Sequence, residues 1–197
     1  MDRERRGFIA AAGVLGAGLV LPSAPPVAAA ARVIDGADLP AIERKRHEHY
    51  MRLALAEARR NPGHPFGAVI VHTRSGEVLG RGVNDQAHNP TYHGEIVAIN
   101  DYVASHGSRD WDAVSLYTTG EPCPMCMGAL VWAGVREVIW ATSIAGIRAA
   151  GFGQIDITAA EVAGRASSFY RPLALIGGVL AEEADKLFAA APAAPSG

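Results

Sequence analysis

The sequence predicts an α/β fold with a central mixed sheet of about five strands flanked by helices. The chain has 197 residues, 49% of them hydrophobic, which is enough for one domain with a substantial core. Short runs rich in Val and Ile alternate with segments of helical periodicity, and this alternation favours a layered sheet whose strands are joined by crossovers. With 19% charged residues, 22 Gly and 12 Pro, the composition excludes a disordered chain, a collagen and a coiled coil.

Turn and capping residues divide the chain into five predicted strands and five predicted helices. The strands cover residues 66–72, 78–83, 113–118, 135–141 and 173–176, and the helices cover residues 40–58, 93–106, 123–133, 144–150 and 180–190. Pro124 in its first turn and Gly134 after its last turn bound the third helix. In the second helix, Ile96, Ile99 and Val103 recur at helical spacing and are predicted to face the core.

Three regions are expected from composition. Residues 1–31 are predicted to be an export signal that is cleaved, residues 32–190 to be the folded domain, and residues 191–197 to be a disordered tail of low complexity. Within the domain, residues 32–38 are predicted to be a linker that leads into the first helix.

The export prediction depends on the first thirty residues. Arg5-Arg6-Gly7-Phe8-Ile9 resembles a twin-arginine signal, although Glu4 and Ala10 depart from the usual pattern. The apolar run at 7–21 is shorter than the roughly 20 strongly apolar residues that a bilayer span requires, and small residues near position 30 suit a cleavage site. We therefore expect a periplasmic or otherwise exported protein without membrane attachment after signal removal. A general-pathway signal or an uncleaved anchor are the alternatives.

The charge distribution argues against a nucleic-acid partner. The formal net charge is −2. After removal of residues 1–31, which hold three of the 18 basic and two of the 20 acidic residues, 15 basic and 18 acidic residues remain, a net charge of −3. Residues 172–197 contain one basic residue, Lys186. Because phosphate binding requires clustered Lys and Arg, we expect a small-molecule substrate and no nucleic acid.

Two cysteines and one histidine form a candidate metal site. Cys123 and Cys126 are three residues apart, so they face one side of the first turn of a helix, where free amide groups favour thiolate. With His93 they would give Zn²⁺ three ligands and leave its fourth position to water, which is typical of a catalytic site. Glu95 could reach that water and accept its proton. A redox disulfide and a structural zinc site are the alternatives, although the sequence has no third cysteine.

The two motifs resemble those of the zinc-dependent cytidine and nucleobase deaminase superfamily. His93-Gly94-Glu95 followed by Pro122-Cys123-Pro124-Met125-Cys126 is similar to the H-x-E and P-C-x-x-C signature of these enzymes. The resemblance runs from about residue 50 to about residue 189. It is strongest to the branch that contains guanine deaminases, fungal-type cytosine deaminases and tRNA adenosine deaminases.

This resemblance implies a fold, a mechanism and further site residues. The implied fold is the three-layer α/β/α cytidine-deaminase-like fold. The implied reaction is hydrolytic, with Zn²⁺ activating water and Glu95 transferring protons while ammonia leaves. Asn84 would bind the base through its amide, and Phe66 would form an apolar wall of the pocket. Asn84 could instead serve only a turn.

The sequence combines features of different substrate classes within this superfamily. Ala150-Gly151-Phe152 resembles guanine deaminases, but Gly153-Gln154 follows where those enzymes have an acidic pair that includes a residue assisting proton transfer. Gly94 between the histidine and the glutamate is the variant of fungal-type cytosine deaminases. We expect a free nucleobase or nucleoside, guanine-like or cytosine-like. An RNA adenosine deaminase is one alternative, and a noncatalytic zinc or thiol protein is another.

The sequence also predicts the roles or positions of several histidines, one aspartate and two tryptophans. His88 and Asp156 are candidates for additional proton transfer, and His64 and His88 flank segments that would form the pocket. The remaining histidines, including His47, are predicted to be surface or loop residues. Trp132 and Trp140 are predicted to pack in the core.

A homodimer is expected from the same resemblance, because these enzymes usually pack their motif-bearing helices across a subunit interface. Met127, Leu130 and Val131 form the apolar stripe that we expect to support this contact.

Overall fold

One mixed sheet of six strands organises the protein. The computed structural model describes residues 29–192. Its strands are β1 (Ile34–Asp35), β2 (Gly67–His72), β3 (Val78–Val83), β4 (Val114–Gly120), β5 (Glu137–Thr142) and β6 (Ala174–Gly177). Its α-helices are α1 (Ala41–Ala58), α2 (Gly94–His106), α3 (Pro124–Ala133), α4 (Ile144–Ala149), α5 (Ala159–Arg165) and α6 (Ala181–Ala190).

The strand order explains why the sheet is mixed. The order is β1-β6-β5-β4-β2-β3. Strands β1, β6, β5 and β4 run parallel, and β2 is antiparallel to both β4 and β3. Parallel neighbours require crossovers, which the helices α3 and α4–α5 provide, whereas a short turn joins β2 to β3.

Helices cover both faces of the sheet and bury two apolar clusters. On one face, α1 and α6 cover a cluster that includes Met51, Leu55 and Phe188. On the other face, α2, α3 and α5 cover a cluster that includes Tyr102 and Leu130. The predicted three-layer α/β/α fold is therefore confirmed, with six strands in place of about five.

Two elements differ from the sequence prediction. The predicted linker 32–38 contains β1, which pairs with β6 about 140 residues later, and a 3₁₀ turn at Gly36–Asp38. Helix α5 was not predicted, although Thr158 and Glu161 form a capping box at its start.

Helix α2 turns only part of the predicted face to the core. Its buried residues are Gly94, Glu95, Ala98 and Tyr102; the predicted Ile99 packs against the core from a partly buried position, while Val103 is 38% exposed. The reason is close packing: a Cβ atom at Gly82 on β3 would lie 2.1 Å from the carbonyl oxygen of Gly94 and 2.4 Å from the backbone nitrogen of Ala98. Small residues therefore stand where the helix approaches β3 most closely.

Three predictions about burial are wrong. Trp132 is 80% exposed, because Met127, Leu130 and Val131 occupy the inner face of α3. That stripe is buried in the core of its own chain, so it offers no surface to a second subunit. His47 is 2% exposed and contacts the Tyr117 hydroxyl through Nδ1 at 3.0 Å.

The terminal predictions fall almost entirely outside the described residues. Only residues 29–31 of the predicted export signal and residues 191–192 of the predicted tail are described. Of these, Ala31 donates its backbone N–H to the carbonyl of Ala160 at 2.9 Å. Within residues 29–192, no helix combines the length and apolar character needed to cross a bilayer.

Candidate active site

The structure brings together the three predicted metal ligands at the starts of two helices. His93 is the N-cap of α2, Cys123 is the N-cap of α3, and Cys126 lies in the first turn of α3. Nδ1 of His93 is 3.5 Å from Sγ of Cys123 and 3.6 Å from Sγ of Cys126. The three ligand atoms all lie within 4.8 Å of one another.

These distances fit a tetrahedral zinc ion. With a Zn–S bond of about 2.3 Å and a Zn–N bond of about 2.0 Å, the tetrahedral angle separates nitrogen and sulfur by about 3.5 Å. Two thiolates and one imidazole also match the ligand preference of Zn²⁺. His93 Nδ1, Cys123 Sγ and Cys126 Sγ would hold the ion and leave one position free, as the sequence predicts.

The two cysteines hold their protons differently in the metal-free protein. A hydrogen bond from the Cys126 thiol, reinforced by His93, lowers the pKa of Cys123 to about 4. The same hydrogen bond and burial raise the pKa of Cys126. The hydrogen bond to Cys123 raises the pKa of His93. These hydrogen bonds therefore favour the thiolate form of Cys123, the form that binds a metal ion.

Glu95 lies in the first turn of α2, two residues after His93, and is 4% exposed. The Thr118 hydroxyl on β4 donates to Glu95 Oε1 at 3.2 Å, which fixes the carboxyl group. Burial is the main cause that raises the pKa of Glu95, and the negative charge of Cys123 raises it further. The group therefore accepts a proton more readily than an exposed glutamate does.

A cavity of about 640 Å³ opens beside His93. Both predicted substrate contacts, Asn84 and Phe66, line it. Of the candidate metal centre, His93 lines the cavity, whereas Glu95 and the two cysteines are not among its lining residues. The cavity thus adjoins the candidate metal centre at His93, as a substrate pocket would.

Aromatic rings form one side of the cavity. The Phe66 and Phe152 rings meet edge to face with centroids 5.5 Å apart, and Phe66 also contacts Phe188 at 5.0 Å. The backbone of Phe66 lies close to α2, since a Cβ atom at Gly94 would be 2.5 Å from the Phe66 carbonyl oxygen. The missing side chain at Gly94 therefore lets the aromatic wall and the metal ligand approach each other.

Amide side chains form another part of the cavity wall. Asn84 is 5% exposed, and its backbone N–H donates to the Phe66 carbonyl at 2.9 Å. Its Nδ2 donates to Oε1 of Gln86 at 3.0 Å. Gln86 and Gln154 also line the cavity, as does the exposed His64. Neither glutamine was identified as a site residue from the sequence, because a lone polar residue in a loop carries no local signal.

His88 and Asp156, the candidates for additional proton transfer, do not line the cavity. His88 is exposed and pairs with Asp85 at 2.7 Å, a contact that raises the pKa of His88. Asp156 is exposed and pairs with Arg148. Each of the two residues therefore pairs with a side chain that does not line the cavity.

Glu121 is a buried residue that sequence reasoning missed. It is 7% exposed, and it accepts the backbone N–H groups of Ile144 at 3.0 Å and of Ala159 at 2.9 Å. It therefore caps the starts of both α4 and α5. The segment between these helices carries Phe152 and Gln154 into the cavity wall.

The comparison with protein families defines the class. The family model of the cytidine and deoxycytidylate deaminase zinc-binding region matches residues 44–142, which include all three candidate ligands and Glu95. The chain belongs to this family. It is therefore a hydrolytic deaminase by class, and its His/Cys/Cys cluster fits the zinc ion that the family binds.

The relatives that the chain matches are named for different substrates. The chain is 37% identical over 112 residues to a guanine deaminase of Bacillus subtilis, and the match covers 54% of this chain and 70% of that protein. It is 34% identical over 97 residues to a Schizosaccharomyces pombe protein named "Probable cytosine deaminase", covering 48% of this chain and 59% of that protein.

The solved structures that resemble this chain also differ in what they bind or act on. The structure of NE0047 in complex with 2,6-diaminopurine aligns with a TM-score of 0.62 and 28% identity, covering 72% of this chain and 79% of that chain. A structure of tRNA:A34 deaminases, which edit A to I at the wobble position of transfer RNA, aligns with a TM-score of 0.57 and 27% identity. That match covers 71% of this chain and 98% of the other.

Proposed function

We propose that the protein is a zinc-dependent hydrolytic deaminase of a small amino-heterocycle, a free nucleobase or a nucleoside. The observation that carries the proposal is the cavity of about 640 Å³ that is lined by His93 together with aromatic and amide side chains. Flat apolar walls with a few polar groups suit a heteroaromatic ring, which stacks on its faces and forms hydrogen bonds at its edge. In the reaction, water replaces the exocyclic amine, so that a ring carbonyl and ammonia are the products.

Proton transfer is the role of Glu95. Bound Zn²⁺ would lower the pKa of water to about 7 and so supply a nucleophile at neutral pH. The Glu95 carboxylate accepts one proton of the attacking water and delivers it to a ring nitrogen, then accepts the proton of the added hydroxyl group and delivers it to the departing amine as the ring carbonyl forms. Its burial supports this cycle, because a raised pKa brings a carboxyl group closer to the pH at which it both accepts and releases a proton.

Binding and orientation of the ring are the roles of the cavity walls. Phe66 and Phe152 offer apolar surface to the ring. The buried Asn84 amide offers both a donor and an acceptor to the ring edge, and its backbone is fixed by hydrogen bonds to Phe66 and Asn61. A rigid amide at this point would select the orientation that presents the amine-bearing carbon to the metal centre.

A small substrate is favoured over RNA. Among the described residues that line the cavity there is no Lys or Arg, so its walls offer no cation to a phosphate group. The guanine deaminase of Bacillus subtilis and the NE0047 complex with 2,6-diaminopurine also favour a free purine. The tRNA:A34 deaminases make RNA the second candidate substrate.

The choice between guanine and another base depends on the segment after Phe152. The resemblance to guanine deaminases would require an acid there, but the residue in the cavity wall is Gln154. The nearest acid, Asp156, pairs with Arg148 outside the cavity. We infer that guanine is turned over slowly and that Gln154→Glu increases guanine turnover relative to that of the other bases.

Release of ammonia from a panel of substrates tests the proposal. The panel contains guanine, adenine, cytosine, 2,6-diaminopurine, the corresponding nucleosides and a transfer RNA, each incubated with zinc-loaded protein. We expect turnover of at least one free base or nucleoside and none of the RNA. Cys126→Ser is the matched control, because it removes a ligand atom and should abolish both zinc binding and ammonia release.

Two outcomes would contradict the proposal. Turnover of the transfer RNA alone, together with its binding at physiological salt, would establish the RNA alternative. Undiminished activity in protein that metal analysis finds free of zinc would remove the role of the His93 cluster.

A further inference from the structure

Gln86 connects the candidate base-binding residue to a candidate metal ligand. Its Oε1 accepts from Asn84 Nδ2 at 3.0 Å, and its backbone N–H donates to Asn84 Oδ1 at 3.3 Å. At the other end of the same amide, Nε2 is 3.3 Å from Nε2 of His93. One exposed side chain thus bridges the pocket and the metal centre.

The chemistry of a metal-bound imidazole determines what this contact becomes. In His93, Nδ1 faces the two sulfur atoms, so a zinc ion would take the lone pair of Nδ1. A neutral imidazole that gives one nitrogen to a metal carries its proton on the other, so Nε2 becomes a donor. The partner at 3.3 Å must then be an acceptor, and a half turn of the Gln86 amide brings Oε1 to that point. The same half turn points Gln86 Nε2 at Asn84, so the Asn84 amide turns as well and its Oδ1 accepts from Gln86 Nε2.

Little else holds Gln86 in place. Its Nε2 also lies 3.4 Å from the Pro90 carbonyl, a distance at the long end of the hydrogen-bond range. The residue is exposed and belongs to the loop between β3 and α2, so no part of either apolar cluster depends on it. Substitution of its side chain should therefore leave the fold intact, which separates a positioning role from a structural one.

We propose that Gln86 is a positioning residue that joins the zinc ligand His93 to the base-binding amide of Asn84, so that one side chain supports both zinc affinity and substrate binding. Partners that accept from the second nitrogen of a ligating histidine hold the ring in orientation and increase its basicity. The same amide limits rotation of the Asn84 side chain. The substrate half of this inference rests on the proposed function, whereas the zinc half does not.

Zinc affinity is the first measurement, because it needs no substrate. We compare wild type, Gln86→Leu, Gln86→Glu and Gln154→Leu by competition with a chromophoric zinc chelator. Loss of such a partner typically costs about 10–100-fold in metal affinity, and we expect a loss in that range for Gln86→Leu. Gln86→Glu should restore the affinity, since a carboxylate accepts from both His93 and Asn84. Gln154→Leu changes a glutamine of the same cavity without this contact and should keep wild-type affinity.

Kinetics of the zinc-saturated enzymes test the second half. For Gln86→Leu we expect a KM raised about 10-fold and a kcat within about 3-fold of wild type, the pattern of lost substrate positioning in the ground state. A zinc affinity within twofold of wild type in Gln86→Leu would overturn the proposal, and so would weakened zinc binding with an unchanged KM. If no substrate is turned over by any of the four proteins, the proposed function fails, while the zinc measurement still decides the contact with His93.

Discussion

Glu95 is poorly hydrated, because the sheet and the start of α2 leave only 4% of the residue exposed. The Thr118 hydroxyl is a donor that partly compensates for the lost water. This balance leaves a carboxyl group that is fixed in one rotamer and whose pKa is raised by burial. A residue of this kind is suited to proton transfer and not to metal binding, which favours a fully ionised carboxylate.

We expect Glu95→Gln to retain zinc and fold while losing nearly all turnover. The glutamine has the same shape and still accepts from Thr118, but it cannot carry a proton. General acid–base catalysis contributes about 10²–10⁴-fold, so ammonia release should fall by a factor in this range. The zinc content and the midpoint of thermal unfolding serve as controls and should match wild type. Activity as high as one tenth of wild type would mean that another group transfers the proton.

His47 gives a second residue-scale prediction, which concerns stability and pH. Burial lowers the pKa of His47, with a smaller effect of Arg46 in the same direction. Glu43 and Glu137 oppose this shift without overcoming it. Below about pH 6.5 the unfolded chain therefore binds a proton at this histidine that the folded chain does not, and the free energy of unfolding falls as the pH decreases.

We expect the variant His47→Asn to lose less stability on acidification. Its amide can retain the hydrogen bond to Tyr117 but does not titrate. Urea unfolding at pH 7.5 and pH 5.5 should show a larger decrease for wild type, by up to about 1.4 kcal/mol per pH unit within the window. All other titrating groups are common to the two proteins. Parallel decreases in the two proteins would show that His47 titrates in the folded state as it does in the unfolded one.

The spacing of the motifs predicts which residues meet at the metal centre, but not the side chains that support them. His93, Cys123 and Cys126 are identified by residue type and by their positions at helix starts. Thr118 and Gln86 carry no such signal, because their roles arise only when β4 and the loop before α2 approach Glu95 and His93. These supporting contacts join residues that are distant in the chain or that lie in irregular backbone.

At the scale of elements, α2 depends on close approach to β2. A Cβ atom at Gly94 would lie 2.5 Å from the Phe66 carbonyl oxygen and 3.4 Å from the Gly67 Cα atom. Backbone cannot yield as a flexible side chain does, so any side chain at this position must displace the helix or the strand. His93 and Glu95, on either side of Gly94, would move with the helix.

We therefore expect Gly94→Ala to cost about 1–3 kcal/mol of unfolding free energy and to weaken zinc binding. Gly128→Ala is the matched control: Gly128 is also helical, but a Cβ atom there meets nothing within 4 Å. That control should be neutral or stabilising by up to about 1 kcal/mol. Chemical unfolding and chelator competition measure both effects. Equal stabilities for the two variants would mean that α2 can shift freely on the sheet.

Helices and strands long enough to show a hydrophobic period can be predicted from the sequence, whereas very short elements cannot. The buried positions Met51, Ala54 and Leu55 of α1 follow the predicted helical spacing. Strand β1 has two residues, too few to carry a period, and it exists because β6 provides a parallel partner. Helix α5 has seven residues, and the one local signal at its start is the capping box of Thr158 and Glu161.

At the scale of the whole molecule, the homodimer stays a prediction. The surface now expected to form it differs from the stripe on α3 that the sequence indicates. With Met127, Leu130 and Val131 buried, the candidate contact is the exposed pair of Trp132 and Phe169, whose rings stack with centroids 5.1 Å apart. Exposed aromatic residues of this size are enriched at protein interfaces.

We expect light scattering at micromolar concentration to give the mass of a dimer for wild type and of a monomer for Trp132→Glu. Ile42→Glu is the control, since Ile42 is 78% exposed on α1, which covers the opposite face of the sheet. It should remain dimeric. A monomeric wild type would exclude the dimer, and a dimeric Trp132→Glu would exclude this surface.

Export also stays a prediction, and we propose that it follows the twin-arginine pathway. In an oxidising compartment a metal-free Cys123/Cys126 pair could form a disulfide and lose the metal site. Zinc bound before export would protect both sulfur atoms, and only a pathway that carries folded proteins permits this order.

We expect replacement of Arg5 and Arg6 by Lys to retain active, zinc-loaded protein in the cytoplasm, as measured by fractionation and metal analysis. The mature chain directed through the general pathway should arrive oxidised and poor in zinc. Normal export of the double-Lys variant would exclude the twin-arginine signal. Full activity of the rerouted protein would exclude the protective role.

The contacts of Glu121 bear on how the substrate preference of such a protein can change during evolution. Its two carboxylate oxygens hold the first residues of α4 and α5, so the chain from Ile144 to Ala159 is held at both ends by a residue two positions before Cys123. Phe152, Gly153 and Gln154 lie in that fastened segment and face the cavity. Mutations there can alter the shape and polarity offered to the ring while the anchors keep the ligand geometry unchanged. Substrate preference can therefore drift in one short stretch of chain while the chemistry at the metal is inherited intact.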